Sequence, residues 1–240
     1  MKVKAMIFAA GLGTRFKPWT DSHPKALAPV NGKSLLQRNI LFLQQHGIAE
    51  VVVNVHHFAD QIVSEVEAAN GWGSEVLISD ESAEVLETGG GLLKALPLLS
   101  DADLVLTMNA DILTTLNLGD FIQFHSEEAA AISLAVMERS SSRVLLFDNN
   151  HQLCGWRNKE KNETRISRQS ALPRELAFSG ISLFGRATFE KINHQGKFSL
   201  LDVFLELAVT ESVKGFNHTG DAFIDVGKPG SAEQAASIFH

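Results

Sequence analysis

The stretch Ala9-Ala10-Gly11-Leu12-Gly13-Thr14-Arg15, followed by Pro24-Lys25, decides how the rest of this chain is interpreted. It comes directly after an apolar run, Ala5-Met6-Ile7-Phe8, which predicts a buried strand. Gly11 and Gly13 carry no Cβ, so the main-chain N–H groups of the loop can approach a bound anion closely. Arg15 and Lys25 add two positive charges, and the guanidinium can bind two phosphate oxygens at once. The stretch therefore predicts a strand, a glycine-rich turn and a site for the phosphates of a nucleoside triphosphate.

Neither of the two common glycine-rich phosphate motifs fits this loop. A Walker loop ends in Gly-Lys-Ser/Thr, whereas Gly13 is followed by Thr14 and Arg15. The dinucleotide fingerprint requires a third Gly or Ala three residues after Gly13, where this chain has Phe16. Two glycines alone are equally well explained by an ordinary strand-to-helix turn that needs positive φ. The arginine and the Pro-Lys pair favour the phosphate site over that structural alternative.

Composition places the chain among globular proteins with one sizeable core. Its 240 residues are 45% hydrophobic and 20% charged, which predicts a single domain over residues 1–240. A formal net charge of −7 argues against a general nucleic-acid binder, so any anion site must be local. The single cysteine, Cys154, excludes an internal disulfide. The first residues show no secretory pattern and no apolar run reaches membrane-spanning length, so we expect a cytoplasmic protein without a membrane partner.

The first half of the chain alternates between short apolar runs and amphipathic segments. Strands are predicted at 51–53, 76–78 and 104–106, each followed by a helical pattern. Ser34 is predicted to cap the first helix, in which apolar residues recur on one face up to Gly47. This alternation predicts an α/β fold with a Rossmann-like, mixed but mostly parallel central sheet flanked by helices.

The second half is less regular. A strand at 132–137 and a hairpin of 144–147 with 152–156 precede a polar segment, residues 157–174, which holds six basic and two acidic residues. We interpret this segment as a solvated mobile loop, with a lid over a phosphorylated ligand as the alternative. A strand at 176–184, two short helices, a strand ending at Asp225 and a helix at 231–239 complete the prediction.

Two aspartates are candidates for a metal site. Asp111 follows the strand at 104–106, and Asp225 follows the apolar segment 222–224. Open α/β sheets bind ligands at the carboxyl edge, and Mg²⁺ takes few protein oxygens beside phosphate and water. Taken alone, each aspartate is more often a turn former or a helix cap.

A second glycine-rich stretch, Thr88-Gly89-Gly90-Gly91, is predicted to open a helix with Thr88 as its cap. Free N–H groups of Gly89 and Gly90 would then face a base carbonyl or a ribose hydroxyl, and the missing side chains would let a flat base lie against the backbone. Asn54, at the end of the second strand, would meet the same ligand. The structural alternative for the glycines is a flexible linker.

The order of these motifs resembles the signature of the nucleoside-diphosphate-sugar pyrophosphorylases, the nucleotidyltransferases that activate sugar 1-phosphates. The resemblance is carried by residues 9–15, Pro24-Lys25, Glu87-Thr88-Gly89-Gly90-Gly91, Asn109-Ala110-Asp111, Phe178-Ser179-Gly180-Ile181 and Asp225-Val226-Gly227. The triple glycine and the short length are most similar to uridylyltransferases that use N-acetylmuramate 1-phosphate, followed by mannose-1-phosphate guanylyltransferases. The resemblance implies the nucleotide-diphospho-sugar transferase fold, with a nucleotide-binding half over 1–125 and a sugar-phosphate-binding half over 126–240.

The resemblance also implies roles for individual residues. Arg15, Lys25 and Asp111 would be catalytic, and Asp111 with Asp225 would bind Mg²⁺. The residues implied to contact the nucleotide, together with Asn54, are Ala9, Gly11, Gly13, Thr14, Arg15, Glu81, Thr88, Gly89 and Gly90. Those assigned to the sugar phosphate are Asn109, Ser179, Gly180 and Asp202. The structural alternative is a β-bulge at Ser179-Gly180 and a solvated helix position for Asp202.

The lysine that binds the sugar phosphate in many relatives lies in a Glu-Lys-Pro motif that this sequence lacks. Lys159 and Lys161 stand in the corresponding region without the proline, so the cation for that phosphate is unassigned.

The sequence thus predicts an enzyme that joins a sugar 1-phosphate to a nucleoside triphosphate with Mg²⁺, as a monomer or homodimer. Two other classes stay open, a metal-dependent glycosyltransferase and a non-catalytic sensor of nucleotide sugars.

Overall fold

The computed structural model of the chain describes residues 1–227 and 229–239, and the predicted first strand lies at the centre of its main sheet. The strands are β1 (Val3–Phe8), β2 (Pro29–Val30), β3 (Lys33–Ser34), β4 (Glu50–Val55), β5 (Glu75–Asp80), β6 (Leu104–Asn109), β7 (Ile112–Thr114), β8 (Ile132–Met137), β9 (Arg143–Phe147), β10 (Leu153–Asn158), β11 (Glu163–Ile166), β12 (Arg174–Gly185), β13 (Val213–Asn217) and β14 (Phe223–Asp225). The α-helices are α1 (Leu35–Gln45), α2 (Ala59–Ala68), α3 (Glu87–Ala95), α4 (Leu118–Glu127), α5 (Leu200–Leu207) and α6 (Pro229–Ile238).

The first half of the sheet is parallel, as predicted. Its strands run in the order β5-β4-β1-β6, with every neighbouring pair parallel. In this register Phe8 lies beside Asn54 on one side and beside Asn109 on the other. The carboxyl ends of three strands therefore meet at one level, where the glycine-rich loop begins.

The second half of the sheet is mostly antiparallel, and the long strand β12 joins two groups of strands in it. Residues 181–185 of β12 pair with β6, and residues 174–176 pair with β9. Along its other edge β12 pairs with β8, which in turn pairs in parallel with β13. The predicted mixed α/β sheet is confirmed, and β13 is a strand that the sequence did not predict.

Helices cover both faces of the sheet, and the sequence explains where they begin. Ser34 caps α1, since its hydroxyl accepts a hydrogen bond from the N–H of Gln37 at 3.1 Å. Leu36, Ile40 and Leu43 of α1 are fully buried in one core, on one side of the sheet. The second core contains Leu92, Phe184 and Phe204, among others.

The structure corrects the interpretation of the polar segment 157–174. A mobile loop was the favoured interpretation, but residues 163–166 form β11, antiparallel to β10. The basic side chains are partly neutralised there, because Arg157 and Lys159 pair with Glu175 at 2.5 and 2.7 Å.

Within the described residues, no helix combines the length and the apolar character that a membrane span requires.

Candidate active site

A cavity of about 610 Å³ opens above the carboxyl ends of β1, β4 and β6. All of residues 9–15 line it, together with Lys25, Asn109 and Asp111. This is the edge at which open α/β sheets bind ligands. The two motifs that opened the sequence analysis therefore face one space.

The glycine-rich loop has the conformation that its glycines allow. Gly13 lies in the left-handed region with φ 58°, and a Cβ there would come within 3.0 Å of the Lys25 side chain. Its carbonyl accepts hydrogen bonds from the Phe16 N–H at 2.8 Å and the Thr20 hydroxyl at 3.0 Å. The N–H groups of residues 11–13 have no partner within the described part of the chain. These amides remain available to an anion in the cavity.

Asn54 and Glu81 hold the loop in place from below. The Asn54 side-chain oxygen accepts from the N–H groups of Ala9 and Ala10, at 2.7 and 3.3 Å, and its amide donates to Glu81 at 2.7 Å. The other Glu81 oxygen accepts from the N–H of Leu86 at 3.0 Å, and Glu81 is fully buried. Both residues border the cavity, but these side-chain groups already have partners. The polar groups of Ala9, Asn54 and Glu81 thus form a buried brace, and their predicted contact with the nucleotide stays a prediction.

The four charged residues predicted to act together lie together. The Lys25 ammonium donates to the Asp111 carboxylate, and both side chains are largely buried. The Val226 N–H donates to the Asp111 carbonyl at 2.9 Å, which places Asp225 next to Asp111 across the β7–β14 ladder. Arg15 lies beside Gly227 and in the electrostatic field of Asp225, with no ion-pair partner in the residues described.

The strand that carries Asp225 is not part of the main sheet. β14 pairs only with β7 in a separate two-stranded ladder. Although the residue is exposed, partial desolvation and then the neighbouring Asp111 carboxylate raise the pKa of Asp225, while Lys25 and Arg15 oppose the rise.

These two aspartates fit Mg²⁺. They are hard oxygen donors side by side, and their mutual repulsion, seen in the raised pKa of Asp225, is what a divalent cation relieves. Within residues 1–227 and 229–239 no group of three or more potential ligands surrounds a metal position. Mg²⁺ commonly binds through one or two carboxylates and completes its shell with substrate phosphates and water. Asp111 and Asp225 would therefore hold the ion together with the bound phosphates.

The triple glycine packs against another segment and does not offer a nucleotide base the free N–H groups that the sequence predicted. Leu86, not Thr88, precedes the first turn of α3, and the Thr88 hydroxyl accepts from the Leu200 N–H at 3.0 Å. The N–H groups of Gly89 and Gly90 both donate to the Phe198 carbonyl, at 2.9 and 3.3 Å, so they are not free for a base. A Cβ on Gly90 would lie 2.1 Å from the Gly196 carbonyl oxygen. These glycines let α3 pack against the segment before α5, and Glu87 and Thr88 line the cavity, whereas Gly89 and Gly90 are not among its lining residues.

A second cavity of about 400 Å³ adjoins the first. The residues that line both are Phe8, Thr88, Asn109 and Ser199. Gly180 also lines the second cavity, with φ 75°, and a Cβ there would lie 2.9 Å from the Asn109 amide nitrogen. The predicted assignment of Asn109 and Gly180 to the sugar phosphate is thus compatible with the structure and stays a prediction.

Ser179 and Asp202 do not line this cavity. The Ser179 hydroxyl is fully buried and bonds His218 Nε2 at 2.7 Å, while His218 Nδ1 lies 3.2 Å from the Asp221 carboxylate. Ser179 and His218 are both buried, whereas Asp221 is partly exposed, and the Ser179–His218 hydrogen bond fixes the chain beside Gly180. The β12 register shifts between Phe178 and Ser182, which confirms the bulge that was the structural alternative. Asp202 pairs with Arg165 at 2.8 Å.

Three residues that the sequence analysis did not single out contribute to the site. Buried Asn39 donates to the Ala110 carbonyl at 2.9 Å and so holds the turn that presents Asp111. Arg139 and Arg143 line the second cavity. They are candidates for the cation that binds the sugar phosphate, which the sequence analysis left unassigned because the Glu-Lys-Pro motif is missing. Arg139 lies two residues after the predicted strand 132–137 and Arg143 directly before 144–147, and this placement at strand ends was a usable signal.

Comparison with known proteins agrees with this arrangement. The family model described as nucleotidyl transferase matches residues 4–237. N-acetylmuramate alpha-1-phosphate uridylyltransferase of Neisseria meningitidis serogroup B is 31% identical over 98% of each chain. The mannose-1-phosphate guanylyltransferase catalytic subunit beta of Drosophila melanogaster is 27% identical over 94% of this chain and 60% of its own length. A crystal structure of HddC from Yersinia pseudotuberculosis complexed with GMP-PN shares the fold, with a TM-score of 0.80, 24% identity and full coverage of both chains. The chain belongs to the nucleotidyl transferase family.

Proposed function

We propose that this chain transfers a nucleotidyl group from UTP to N-acetylmuramate 1-phosphate, giving the UDP-sugar and pyrophosphate. The observation that carries the proposal is the pair of adjoining cavities, which share lining residues. One contains the anion loop with Arg15 and Lys25, and the other offers a separate space beside Asn109. Two phosphorylated substrates can therefore meet at the boundary, which Asn109 lines, and Asp111 lines the first cavity two residues further along the chain.

The reaction needs charge neutralisation more than proton transfer. An oxygen of the sugar 1-phosphate attacks the α-phosphorus, a new P–O bond forms, and the bond to the bridging oxygen breaks so that pyrophosphate leaves with the electron pair. The attacking oxygen is already anionic at pH 7, so no general base is required. Bringing two polyanions together is the difficulty, and positioned cations reduce it.

The residues of the first cavity match that need. Arg15, which has no ion-pair partner in the described residues, is suited to the departing pyrophosphate, and Lys25 to the α-phosphate. The free N–H groups of residues 11–13 would accommodate further phosphate oxygens. Mg²⁺, when bound by Asp111 and Asp225, would supply additional positive charge to the phosphates.

The choice of UTP and N-acetylmuramate 1-phosphate rests on the Neisseria relative, which matches this chain from end to end. The Drosophila relative supports GTP and mannose 1-phosphate as the second candidate, at lower identity.

A matrix of the four nucleoside triphosphates against several sugar 1-phosphates, followed by pyrophosphate release, tests the proposal. We expect release only with UTP, and fastest with N-acetylmuramate 1-phosphate. A preference for GTP with mannose 1-phosphate would replace this proposal by the second candidate. Binding of nucleotide sugars without any turnover would identify a sensor. Transfer from a nucleotide sugar to an acceptor, without pyrophosphate, would identify a glycosyltransferase.

A further inference from the structure

The charge of the second cavity is opposite to that of the whole chain. The chain carries a net charge of −7, yet the charged residues that line this cavity are Arg139 and Arg143. In the part of the chain that the structure describes, no aspartate or glutamate lines it. A pocket for a sugar with hydroxyl groups alone usually offers carboxylate acceptors, because an ionised carboxylate accepts several hydrogen bonds. This pocket instead offers donors.

Arg139 is held near the reaction centre. Its guanidinium donates to the Phe178 carbonyl at 2.9 Å and lies over the Phe223 ring, 4.8 Å from the centroid. It also interacts electrostatically with Asp225, one of the two proposed Mg²⁺ ligands. A guanidinium in this position is suited to the phosphate of the sugar substrate.

Arg143 is the second cation of this cavity, and it is exposed. Its guanidinium makes no hydrogen bond or ion pair with any residue that the structure describes. The nearby cations Arg157 and Lys159 both pair with Glu175, so they do not offer a free charge. Apolar side chains, including Trp156 and Leu201, form the adjacent walls. Water screens a free guanidinium poorly once a substrate fills such a pocket, so a matching anion would gain affinity there.

We propose that this pocket selects a sugar 1-phosphate that carries a second anionic group, a carboxylate, with Arg143 binding that carboxylate and Arg139 the phosphate. The proposal rests on the proposed function and names the residue that sets its substrate class. The apolar walls suit the methyl of an acetamido group and a face of the sugar ring. N-acetylmuramate 1-phosphate has this chemistry, since its lactyl ether ends in a carboxylate. N-acetylglucosamine 1-phosphate is the same molecule without that ether.

The matched pair of sugars makes the test direct. Steady-state pyrophosphate release is measured with UTP, or whichever triphosphate the matrix selects, for both sugars in four proteins: wild type, Arg143→Gln, Arg143→Lys and Arg139→Gln. We expect Arg143→Gln to lower kcat/KM for the acidic sugar about 10- to 100-fold, mainly through KM, and to leave the neutral sugar unchanged. Arg143→Lys should restore part of the loss. Arg139→Gln should lower kcat/KM for both sugars by similar factors, because both carry the phosphate.

Arg174→Gln is the control, since Arg174 lies outside the cavity and pairs with exposed Glu138 at 3.0 Å. Equal loss for both sugars in Arg143→Gln would overturn the proposal, as would equal use of both sugars by the wild type. In either case pyrophosphate release would still support the proposed function. No release with any pair of substrates would reject the proposed function and this inference with it.

Discussion

Replacing Glu81 by alanine tests whether this residue contacts the nucleotide, as the sequence implied, or braces the fold. The side chain is fully buried, and each carboxylate oxygen accepts one hydrogen bond. The donors are the Asn54 amide at 2.7 Å and the Leu86 N–H at 3.0 Å. Through Asn54, the same carboxylate orients the oxygen that holds Ala9 and Ala10. We therefore expect the main effect of the substitution to be on stability.

The magnitude follows from counting the donors left without a partner. A buried donor without an acceptor costs about 1–3 kcal/mol, so two of them cost roughly 2–6 kcal/mol. Total stabilities of domains are about 5–15 kcal/mol, so Glu81→Ala would remove a large share. Glu81→Gln keeps one acceptor oxygen and should lose about half as much, which provides a milder variant that still folds.

Urea unfolding of wild type, Glu81→Ala and Glu81→Gln gives the free energies of unfolding. Glu84→Ala is the matched control, because Glu84 is an exposed carboxylate three residues away and its loss should change stability by less than about 0.5 kcal/mol. An unchanged free energy of unfolding in Glu81→Ala, together with a raised KM for the triphosphate, would refute the brace and restore the predicted contact.

Three further predictions concern the charges of the site and the core. Lys25→Ala should fold and slow pyrophosphate release at least about a hundredfold, since one lost transition-state donor costs about 3–4 kcal/mol. The control Lys17→Ala removes a lysine from an exposed ion pair and should not slow the release. Near-wild-type turnover by Lys25→Ala would exclude its assigned role. Asp225→Asn should raise the Mg²⁺ concentration for half-maximal activity, measured by Mg²⁺ titration, and an unchanged value would remove Asp225 from the metal site. Burial lowers the pKa of His125 to about 4, below its value in the unfolded chain. Between about pH 6.5 and 4 the unfolded state therefore binds more protons, and the free energy of unfolding falls by about 3 kcal/mol as the pH drops. Unfolding across that range should show a flatter slope in His125→Gln, and an equal slope would show that other groups cause the loss.

Local patterns predicted the elements whose signals lie within a few residues. Apolar runs marked β1, β4, β5 and β6, and the hydroxyl of Ser34 marked the start of α1, because both signals act over short separations. The shared position of the strand ends follows from the parallel order, so Arg15, Lys25 and Asp111 were correctly placed around one cavity.

Some contacts could not be predicted because a distant segment supplies the partner. Nothing near Glu81 in the sequence shows that it turns inward to Asn54. The Phe198 carbonyl that occupies the N–H groups of Gly89 and Gly90 comes from more than a hundred residues further along the chain. Long-range partners of this kind leave no trace in the segment itself. Residues 163–166 differ, because they pair locally with β10, but all four are exposed and so show no alternation that would mark a strand.

Glycine shows most clearly why a motif does not by itself reveal its physical role. At Gly13 the backbone is left-handed and the space is filled by Lys25, so the residue shapes a loop that leaves amides free for an anion. At Gly90 a neighbouring main-chain carbonyl occupies the position of a Cβ, so the residue permits close packing. At Gly180 the backbone is left-handed and the Asn109 side chain, on the boundary between the two cavities, lies where a Cβ would crowd it. The anion site therefore depends on one glycine for its exposed groups and on the others for the rigid frame that keeps those groups in place.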